Sequence, residues 1–224
     1  MEHSELKDRI IRFISESSEA DIQQAVAKTS LMMTYYRCAM LEIETKFKVL
    51  DEQFSLNHER NPIESIKTRL KSMESISEKL MRNNLPVNVS SMEENLNDVA
   101  GVRVICSFID DIYMLAECLA NQDDVRVLKI KDYIKNPKPN GYRSLHMIVE
   151  IPIFLRDEKK HIKVEVQLRT IAMESWARLE HRMRYKKNLE NDLLEKTKDE
   201  LLECARISGL LDEKMQAIRD IIEK

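Results

Sequence analysis

The sequence predicts an α/β (α+β) domain flanked by long helices, and three observations support this prediction. Residues 160–169, KHIKVEVQLR, alternate apolar and polar side chains with a period of two, which is typical of a half-buried strand. Residues 99–108 are mostly apolar and are typical of a buried strand. The 224 residues include only three glycines and five prolines, so we expect helices to dominate the rest of the chain.

Composition limits the class of protein. Hydrophobic residues make up 43% and charged residues 33% of the chain, which suits a globular protein rather than a disordered or membrane-bound one. The net charge of -3 gives no indication of DNA binding, and RNA binding is an open alternative without support. The four cysteines lack zinc-ligand spacing, and the first ten residues lack the apolar core of a secretory signal. We therefore expect a cytoplasmic protein that begins at residue 1.

Four helices are predicted ahead of the strand at 99–108. Asn61-Pro62 favours a helix start, because asparagine can cap free amides and proline already has a helical φ. Ser91-Met-Glu-Glu94 is a capping-box pattern that predicts another start. The predicted helices cover residues 4–16, 20–54, 61–82 and a short segment that opens at Ser91.

Strands and helices alternate in the second half of the chain. Further apolar segments predict strands at 125–131 and 144–153. Trp176 shares one stripe of its helix with Leu179 and Met183, and we expect this stripe to be buried. The predicted helices cover residues 109–121, 170–187 and 191–223, with a bend at Ser208-Gly209 in the last.

Residues 129–150, KIKDYIKNPKPNGYRSLHMIVE, concentrate positive charge in a chain that is slightly acidic overall. Two prolines and Gly141 define the turn between two strands, because proline fixes φ and glycine permits a positive φ. Tyr142 could present its ring to a base while nearby cations bind phosphates. The alternative is a solvated basic loop with a core tyrosine.

Lys71, Ser75 and Lys79 follow one another at four-residue spacing, which places them on one side of their predicted helix. They could line a groove that follows a polyphosphate. The alternative is an ordinary solvated helix face with Glu74 and Glu78 as salt partners.

Polar side chains accompany two of the predicted strands. Asp98 stands at the mouth of the first, where an acid can hold a divalent cation, and Arg103 within it can stack on a ligand. Glu165, Gln167 and Arg169 project from one side of the other strand, where Glu165 could share a metal with Asp98. The alternatives are a buried structural Asp-Arg pair and simple solvent exposure.

Four segments taken together resemble the synthetase domain of the RelA/SpoT family over residues 60–190, with the order and spacing of that family. The resemblance implies a nucleotidyltransferase-like mixed sheet of about five strands, with helical segments at 1–59 and 191–224. The segments are RLKSMESISEKLMR (69–82), DVAGVRV (98–104), KIKDYIKNPKPNGYRSLH (129–146) and VEVQLRTIAMESWARLEHRMRYK (164–186).

The resemblance is to the stand-alone small alarmone synthetases of this family, and it implies a pyrophosphokinase. Such enzymes transfer the β,γ-pyrophosphate of ATP to the 3′-hydroxyl of GDP or GTP, which gives ppGpp or pppGpp and AMP; GMP is a further candidate acceptor. The chain shows no segment like the hydrolase of long family members, so we expect synthesis without hydrolysis. Small synthetases of this type form homotetramers through terminal helices, and we expect the same assembly here.

The resemblance also implies site residues for ATP and the cofactor. Arg69 and Arg103 would sandwich the adenine ring between guanidinium planes. Mg²⁺ is the implied cofactor, held by Asp98 and Glu165, and Glu165 is also the candidate base for the 3′-hydroxyl proton. The residues implied to hold the ATP phosphates are Lys71, Ser75, Lys79 and Arg82.

On the acceptor side, the resemblance implies that Tyr142 stacks on guanine. Lys131, Lys138 and Arg143 would lie near the acceptor phosphates. Glu174 stands where related small synthetases can have an asparagine, which leaves the choice among GMP, GDP and GTP open. The basic KIKD motif leaves the metal preference open. The supporting residues of the acceptor side are Gln167, Arg169, Glu174, Glu180 and His181.

Two other functions are alternatives to alarmone synthesis. Some relatives modify the 3′ end of tRNA, and a basic patch wide enough for a tRNA stem would favour that function. The other rival is a non-enzymatic module that senses guanine nucleotides or single-stranded RNA. The pair Asp98 and Glu165 argues against it, because binding alone seldom needs two metal-holding acids.

Overall fold

The computed structural model describes residues 18–56, 60–185 and 191–223, and within them the α/β prediction is confirmed. The predicted helix at 4–16 lies outside the described residues. The strands are β1 Ile63–Leu70, β2 Ala100–Cys106, β3 Arg126–Asp132, β4 Leu145–Phe154 and β5 Lys159–Thr170. The helices are α1 Glu19–Leu56, α2 Met73–Arg82, α3 Val89–Asn95, α4 Ile109–Ala120, α5 Ile171–Tyr185 and α6 Asn191–Ile222.

The five strands form one mixed sheet in the order β1-β2-β5-β4-β3. β2 runs parallel to β5, and the other neighbouring pairs are antiparallel. The pairing places Arg69 of β1 beside Gly101 of β2, and Gly101 beside Glu165 of β5. Paired residues point to the same face of a sheet, so these three positions form one row across three strands.

The alternating pattern of residues 160–169 has the predicted physical cause. Ile162, Val164, Val166 and Leu168 are buried, while the polar residues between them reach the opposite face. β4 is buried on both faces along most of its length, because it lies between β3 and β5 and is covered by helices. The sheet is therefore the centre of the core, and one face of β5 is left for polar side chains.

The long helix α1 is a scaffold for the sheet. It packs against β1, β2, β4 and β5. Ile43 and Phe47 on its inner face are fully buried, and burying a side chain of this size contributes about 1.5–3 kcal/mol. No helix in the described ranges combines the length and the apolar character that crossing a membrane requires.

Asp111 ties the start of α4 to distant parts of the chain. It is 2% exposed and accepts hydrogen bonds at 2.6 Å from both terminal nitrogens of Arg60. It also accepts a hydrogen bond at 2.9 Å from the backbone N–H of Phe108, which caps the helix. Arg219 of α6 lies over the Phe108 ring, 5.2 Å from its centroid, so the end of α6 joins the same cluster.

The prediction of one helix over 61–82 is wrong for its first half. Residues Ile63–Leu70 form strand β1, and the helix begins only at Met73, where the side chain of Ser72 accepts a hydrogen bond from the Ser75 backbone at 3.3 Å. The pairing of β1 with β2 has a register shift between Ile63 and Ser65, which disturbs the period of two. The resulting apolar spacing imitated a helix, and pairing with β2 decided the conformation.

Three smaller predictions are also corrected. The helix near Ser91 begins at Val89, because Asn88 is its cap and accepts a hydrogen bond from the Ser91 backbone at 2.8 Å. Leu179 and Met183 are about half exposed, because α5 packs on the core through Met173 and on α6 through Trp176 instead. α6 also continues through Ser208-Gly209 without a break.

Candidate active site

A cleft of about 630 Å³ lies between β1, α2 and the polar faces of β2 and β5. It brings together all the residues predicted to bind ATP and both predicted metal ligands. Those lining residues are Arg69, Lys71, Ser75, Lys79, Arg82, Arg103, Asp98 and Glu165. Gln167, predicted for the acceptor side, also lines the cleft.

The local structure explains how these side chains meet. Lys71 lies in the connection between β1 and α2, so it reaches the cleft from the strand end rather than from the helix. Ser75, Lys79 and Arg82 follow at helical spacing on α2. Gly101 lies in the row between Arg69 and Glu165, and without a side chain it leaves the floor of the cleft clear.

Two lysines of the cleft converge on the carboxylate of Asp98. Its Oδ2 accepts hydrogen bonds from Lys71 Nζ at 2.5 Å and from Lys79 Nζ at 2.7 Å. Burial alone would raise the pKa of Asp98, but the hydrogen bonds and charges of the two lysines outweigh burial and lower it. Its Oδ1 is buried and has no hydrogen-bond partner among the described residues, so one acceptor oxygen is available to a further ligand.

Glu165 is held by a neighbour on each side. Gln167 Nε2 donates to its Oε2 at 2.7 Å, and His146 Nδ1 lies 3.4 Å from its Oε1. Burial would raise the pKa of Glu165, but the interactions with His146 and Gln167 lower it overall. The charge of Asp98 acts in the opposite direction, which shows that the two carboxylates sense one another.

His146 is the site residue that the sequence prediction missed. It is 8% exposed on β4, opposite Gln167 of β5. Its Nε2 lies 2.7 Å from the hydroxyl of Tyr142, so the imidazole connects Tyr142 with Glu165. The segment SLH at the start of a predicted strand was the available signal, but the sequence does not show that this strand pairs with the strand of Glu165.

Tyr142 is not an open platform in this structure. Its hydroxyl accepts a short hydrogen bond from Arg169 Nη2. The guanidinium carbon of Arg169 lies 4.9 Å from the ring centroid, and Lys138 Nζ lies 4.7 Å from it. Burial raises the pKa of Tyr142, opposed mainly by the charge of Arg169. Access of a base to the ring therefore requires a side chain such as that of Lys138 to move.

Glu174 joins several cations on the acceptor side. This carboxylate is 6% exposed, contacts Arg169 Nη1 at 2.9 Å and Arg103 Nη1 at 3.2 Å, and lies 3.6 Å from Lys67 Nζ. Arg103 is thus anchored at the border between the predicted ATP and acceptor regions. Apart from Gln167, the predicted acceptor residues do not line the cleft. Lys131 is exposed on β3, His181 is exposed on α5, and Arg143 contacts α6.

The two carboxylates fit a magnesium ion. No group of three or more metal-ligating side chains is found across residues 18–56, 60–185 and 191–223. Mg²⁺ nevertheless needs only one or two protein carboxylates, because waters and substrate phosphates complete its shell. Oδ1 of Asp98 has no hydrogen-bond partner among the described residues, and the nearby Glu165 is ionised. The two carboxylates supply the oxygen ligands that such an ion requires.

Comparison with known proteins decides the family. Residues 68–190 match the model of a region found in RelA / SpoT proteins. The chain belongs to the RelA/SpoT family. Among RelA/SpoT proteins it is similar to the GTP pyrophosphokinase YwaC of Bacillus subtilis (strain 168), with 47% identity over 188 residues. That match covers 84% of this chain and 89% of the relative.

Solved RelA/SpoT structures share the fold. The small alarmone synthetase 1 of Bacillus subtilis bound to its product pppGpp matches with a TM-score of 0.79 at 34% identity, over 88% of this chain and 100% of that chain. The same enzyme bound to AMPCPP matches with a TM-score of 0.72 at 30% identity, over 88% of this chain and 99% of that chain.

Proposed function

We infer that this protein is a (p)ppGpp synthetase that transfers the β,γ-pyrophosphate of ATP to the 3′-hydroxyl of GDP or GTP and releases AMP. The observation that carries this inference is the cleft itself, where two carboxylates and a set of cations converge in a chain of the RelA/SpoT family. Pyrophosphate transfer needs this arrangement, because positioning and charge neutralisation supply most of the rate of phosphoryl-type reactions.

The donor side of the cleft suits ATP. Arg69 and Arg103 lie on neighbouring strands and offer two guanidinium planes for the adenine ring. Lys71 and Lys79 reach the same point, Asp98, from different elements, so they can also converge on the triphosphate. Ser75 and Arg82 extend this polar surface along α2.

Asp98 and Glu165 would hold Mg²⁺. When bound, the ion neutralises negative charge on the pyrophosphoryl group. The lowered pKa values of both residues keep them ionised at neutral pH, as metal ligands must be. His146 and Gln167 restrict the orientation of Glu165, so its free lone pairs face the cleft.

Glu165 would also receive the proton in the transfer step. The 3′-oxygen of the acceptor forms a bond to the β-phosphorus of ATP, and the bond from that phosphorus to the α,β-bridging oxygen breaks. The electron pair of that bond leaves with AMP, and the 3′-hydroxyl proton passes to the Glu165 carboxylate. A carboxylate with a lowered pKa is a weak base, so we expect proton transfer to accompany bond formation rather than to precede it.

The acceptor would bind beside Tyr142. Guanine would stack on this ring once Lys138 leaves its face, and Lys138 would then be free to meet a phosphate. Gln167, Arg169 and Glu174 form the connected wall between this region and Glu165. Lys131, His181 and Arg143 stay predictions as acceptor ligands. In the structure Lys131 and His181 are exposed, and Arg143 contacts α6.

We also propose a cytoplasmic homotetramer. Apolar side chains that are half or more exposed recur along both terminal helices, and contiguous surfaces of this kind mark interfaces. On α6 they include Leu211, Ile218, Ile221 and Ile222, and on α1 they include Val26, Leu31, Leu41 and Val49. The segments 1–59 and 191–224 would therefore assemble the particle, and 60–190 would carry the chemistry.

A product assay tests the function. Purified protein is incubated with Mg²⁺ and ATP labelled at the γ-phosphate, with GMP, GDP, GTP or deacylated tRNA offered separately. We expect label on guanine nucleotides together with an equal amount of AMP. Label on tRNA alone would identify a tRNA-modifying enzyme. If no acceptor becomes labelled, the non-enzymatic nucleotide-binding module is the remaining function.

A further inference from the structure

The turn that carries Tyr142 rests on α6 rather than on the sheet alone. Gly141 has a φ of +85°, and a Cβ at this position would lie 2.4 Å from the Cβ of Ala205, so only glycine fits. Tyr142 packs against the small cluster formed by Ala205 and Trp176. The indole Nε1 of Trp176 donates to the backbone oxygen of Leu201 at 3.1 Å, which fixes α5 to α6 at the same place.

Arg143 extends this contact further along α6. Its Nη1 lies 3.6 Å from Asp212 Oδ2, and the two side chains are 14% and 6% exposed. The guanidinium passes directly over Gly209, where a Cβ would lie only 2.5 Å from Nη1. Gly209 thus forms a slot in the helix surface through which Arg143 reaches Asp212.

The buried pair depends on both partners. Asp212 Oδ2 has no hydrogen-bond partner among the described residues, and the charge of Arg143 lies 3.6 Å from this oxygen and compensates it. Burial raises the pKa of Asp212, with Thr170 and Arg143 acting against burial. A buried carboxylate and a glycine thus lie together where Arg143 contacts α6. This coincidence indicates that α6 is adapted to hold Arg143.

We propose that Asp212 and Gly209 are positioning residues for the acceptor nucleotide, because they hold Arg143 and thereby fix the turn 138–143 that carries Tyr142. The proposal rests on the proposed function for the identity of the acceptor. It assigns Arg143 to the support of the turn, in place of direct contact with the acceptor phosphates. α6 then has a role in substrate binding in addition to assembly.

The main test compares Arg143→Gln, Asp212→Asn and the double variant. Because both residues act through one contact, we expect each single variant to raise the KM for GMP, GDP and GTP by a similar factor of about tenfold, with the KM for ATP unchanged. The double variant should cost no more than either single one. Glu213→Gln is the matched control, since it removes an exposed carboxylate from the adjacent position of α6 and should leave both KM values unchanged.

Gly209→Ala gives an independent test that keeps both charges. Alanine normally stabilises a helix relative to glycine, so a purely structural role predicts an equal or higher melting temperature and normal kinetics. A methyl group in the slot instead displaces Arg143, and we expect the same acceptor-specific rise in KM.

Binding can be measured without catalysis, because Trp176 is the one tryptophan in the sequence and lies next to the turn. Titration of GDP against tryptophan emission should give a Kd about tenfold weaker in Asp212→Asn and Gly209→Ala than in the parent. An unchanged Kd in both variants would overturn the proposal. A loss in Arg143→Gln that grows from GMP to GTP would also overturn it, since that pattern identifies a phosphate ligand. Parent protein that binds GDP but transfers nothing would refute the proposed function and leave this inference standing.

Discussion

Glu165 illustrates how much of the proposed chemistry depends on the neighbours of one side chain. The glutamate was visible in the sequence, because the alternation of residues 160–169 placed it on the polar face of a strand. Its restraint by His146 was not visible, because β4 and β5 become neighbours only in the folded sheet. The candidate site could be predicted at positions carried by local patterns, and it was missed where strand pairing alone brings residues together.

The substitution Glu165→Gln tests the role of this carboxylate. The amide keeps the shape but cannot take a proton or neutralise a cation, so we expect kcat to fall by a factor of about 10²–10⁴. Glu150→Gln is the matched control on β4, where the carboxylate pairs with Arg126 outside the cleft. Steady-state AMP release checks both, and normal turnover in Glu165→Gln would refute the assignment as metal ligand and base.

Gly101→Ala tests whether the empty floor of the cleft matters. A Cβ at this position would meet the backbone oxygens of Arg69 and Glu165 at 3.5 and 3.9 Å, which are ordinary contacts, so the fold tolerates it. The methyl group would nevertheless occupy the row between these two residues. We expect the KM for ATP to rise about 5- to 10-fold while the melting temperature stays the same. Unchanged kinetics would show that ATP does not use this floor.

At the scale of elements, β1 shows why a local pattern can mislead. Ile63, Ile66 and Leu70 have helical spacing, and Asn61-Pro62 is a good helix start, yet these residues pair with β2. The register shift that produced the spacing is a property of the pair of strands. The consequence is functional, because a strand at this position brings Arg69 beside Gly101, whereas a helix would have turned it elsewhere.

The start of α4 offers a prediction about stability. Asp111→Ala removes the carboxylate that accepts from the Phe108 backbone and from Arg60. Because Arg60 is 32% exposed and also contacts Glu223, we expect a loss of about 1–3 kcal/mol. The adjacent Asp110 is 65% exposed and pairs with Arg219, so Asp110→Ala should cost less than about 1 kcal/mol. Urea unfolding of the two variants measures the difference, and equal losses would contradict the importance of the buried pair.

At the scale of the whole molecule, the class of fold followed from the sequence, and the assembly did not. Alternation, buried apolar runs and amphipathic helices predicted strands between helices, and the resemblance to the RelA/SpoT family implied a mixed sheet of about five strands. The five-stranded mixed sheet confirms both. The expected burial of Leu179 and Met183 failed because periodicity gives the existence of an apolar stripe without showing what covers it. The same ambiguity applies to the exposed apolar residues of α1 and α6.

Charge substitutions on α6 test the assembly. The double variant Leu211→Glu and Ile218→Glu places two carboxylates on a surface that is about half exposed in the single chain. If this surface is an interface, light scattering after gel filtration should show smaller particles than the parent protein forms. Phe154→Glu is the control, because Phe154 is 73% exposed at the end of β4 and does not belong to α6. An assembly that survives the α6 variant would move the interface to another surface.

The pairing of Asp98 with Lys71 and Lys79 has a practical consequence for handling the protein. Lys71 and Lys79 already balance the charge of this carboxylate, so we expect the stability of the fold not to depend on a bound ion. Treatment with a chelator should therefore abolish turnover and leave the thermal melting curve unchanged. The stripped protein can then be stored and reloaded with one chosen divalent ion at a time, which makes its metal preference directly measurable.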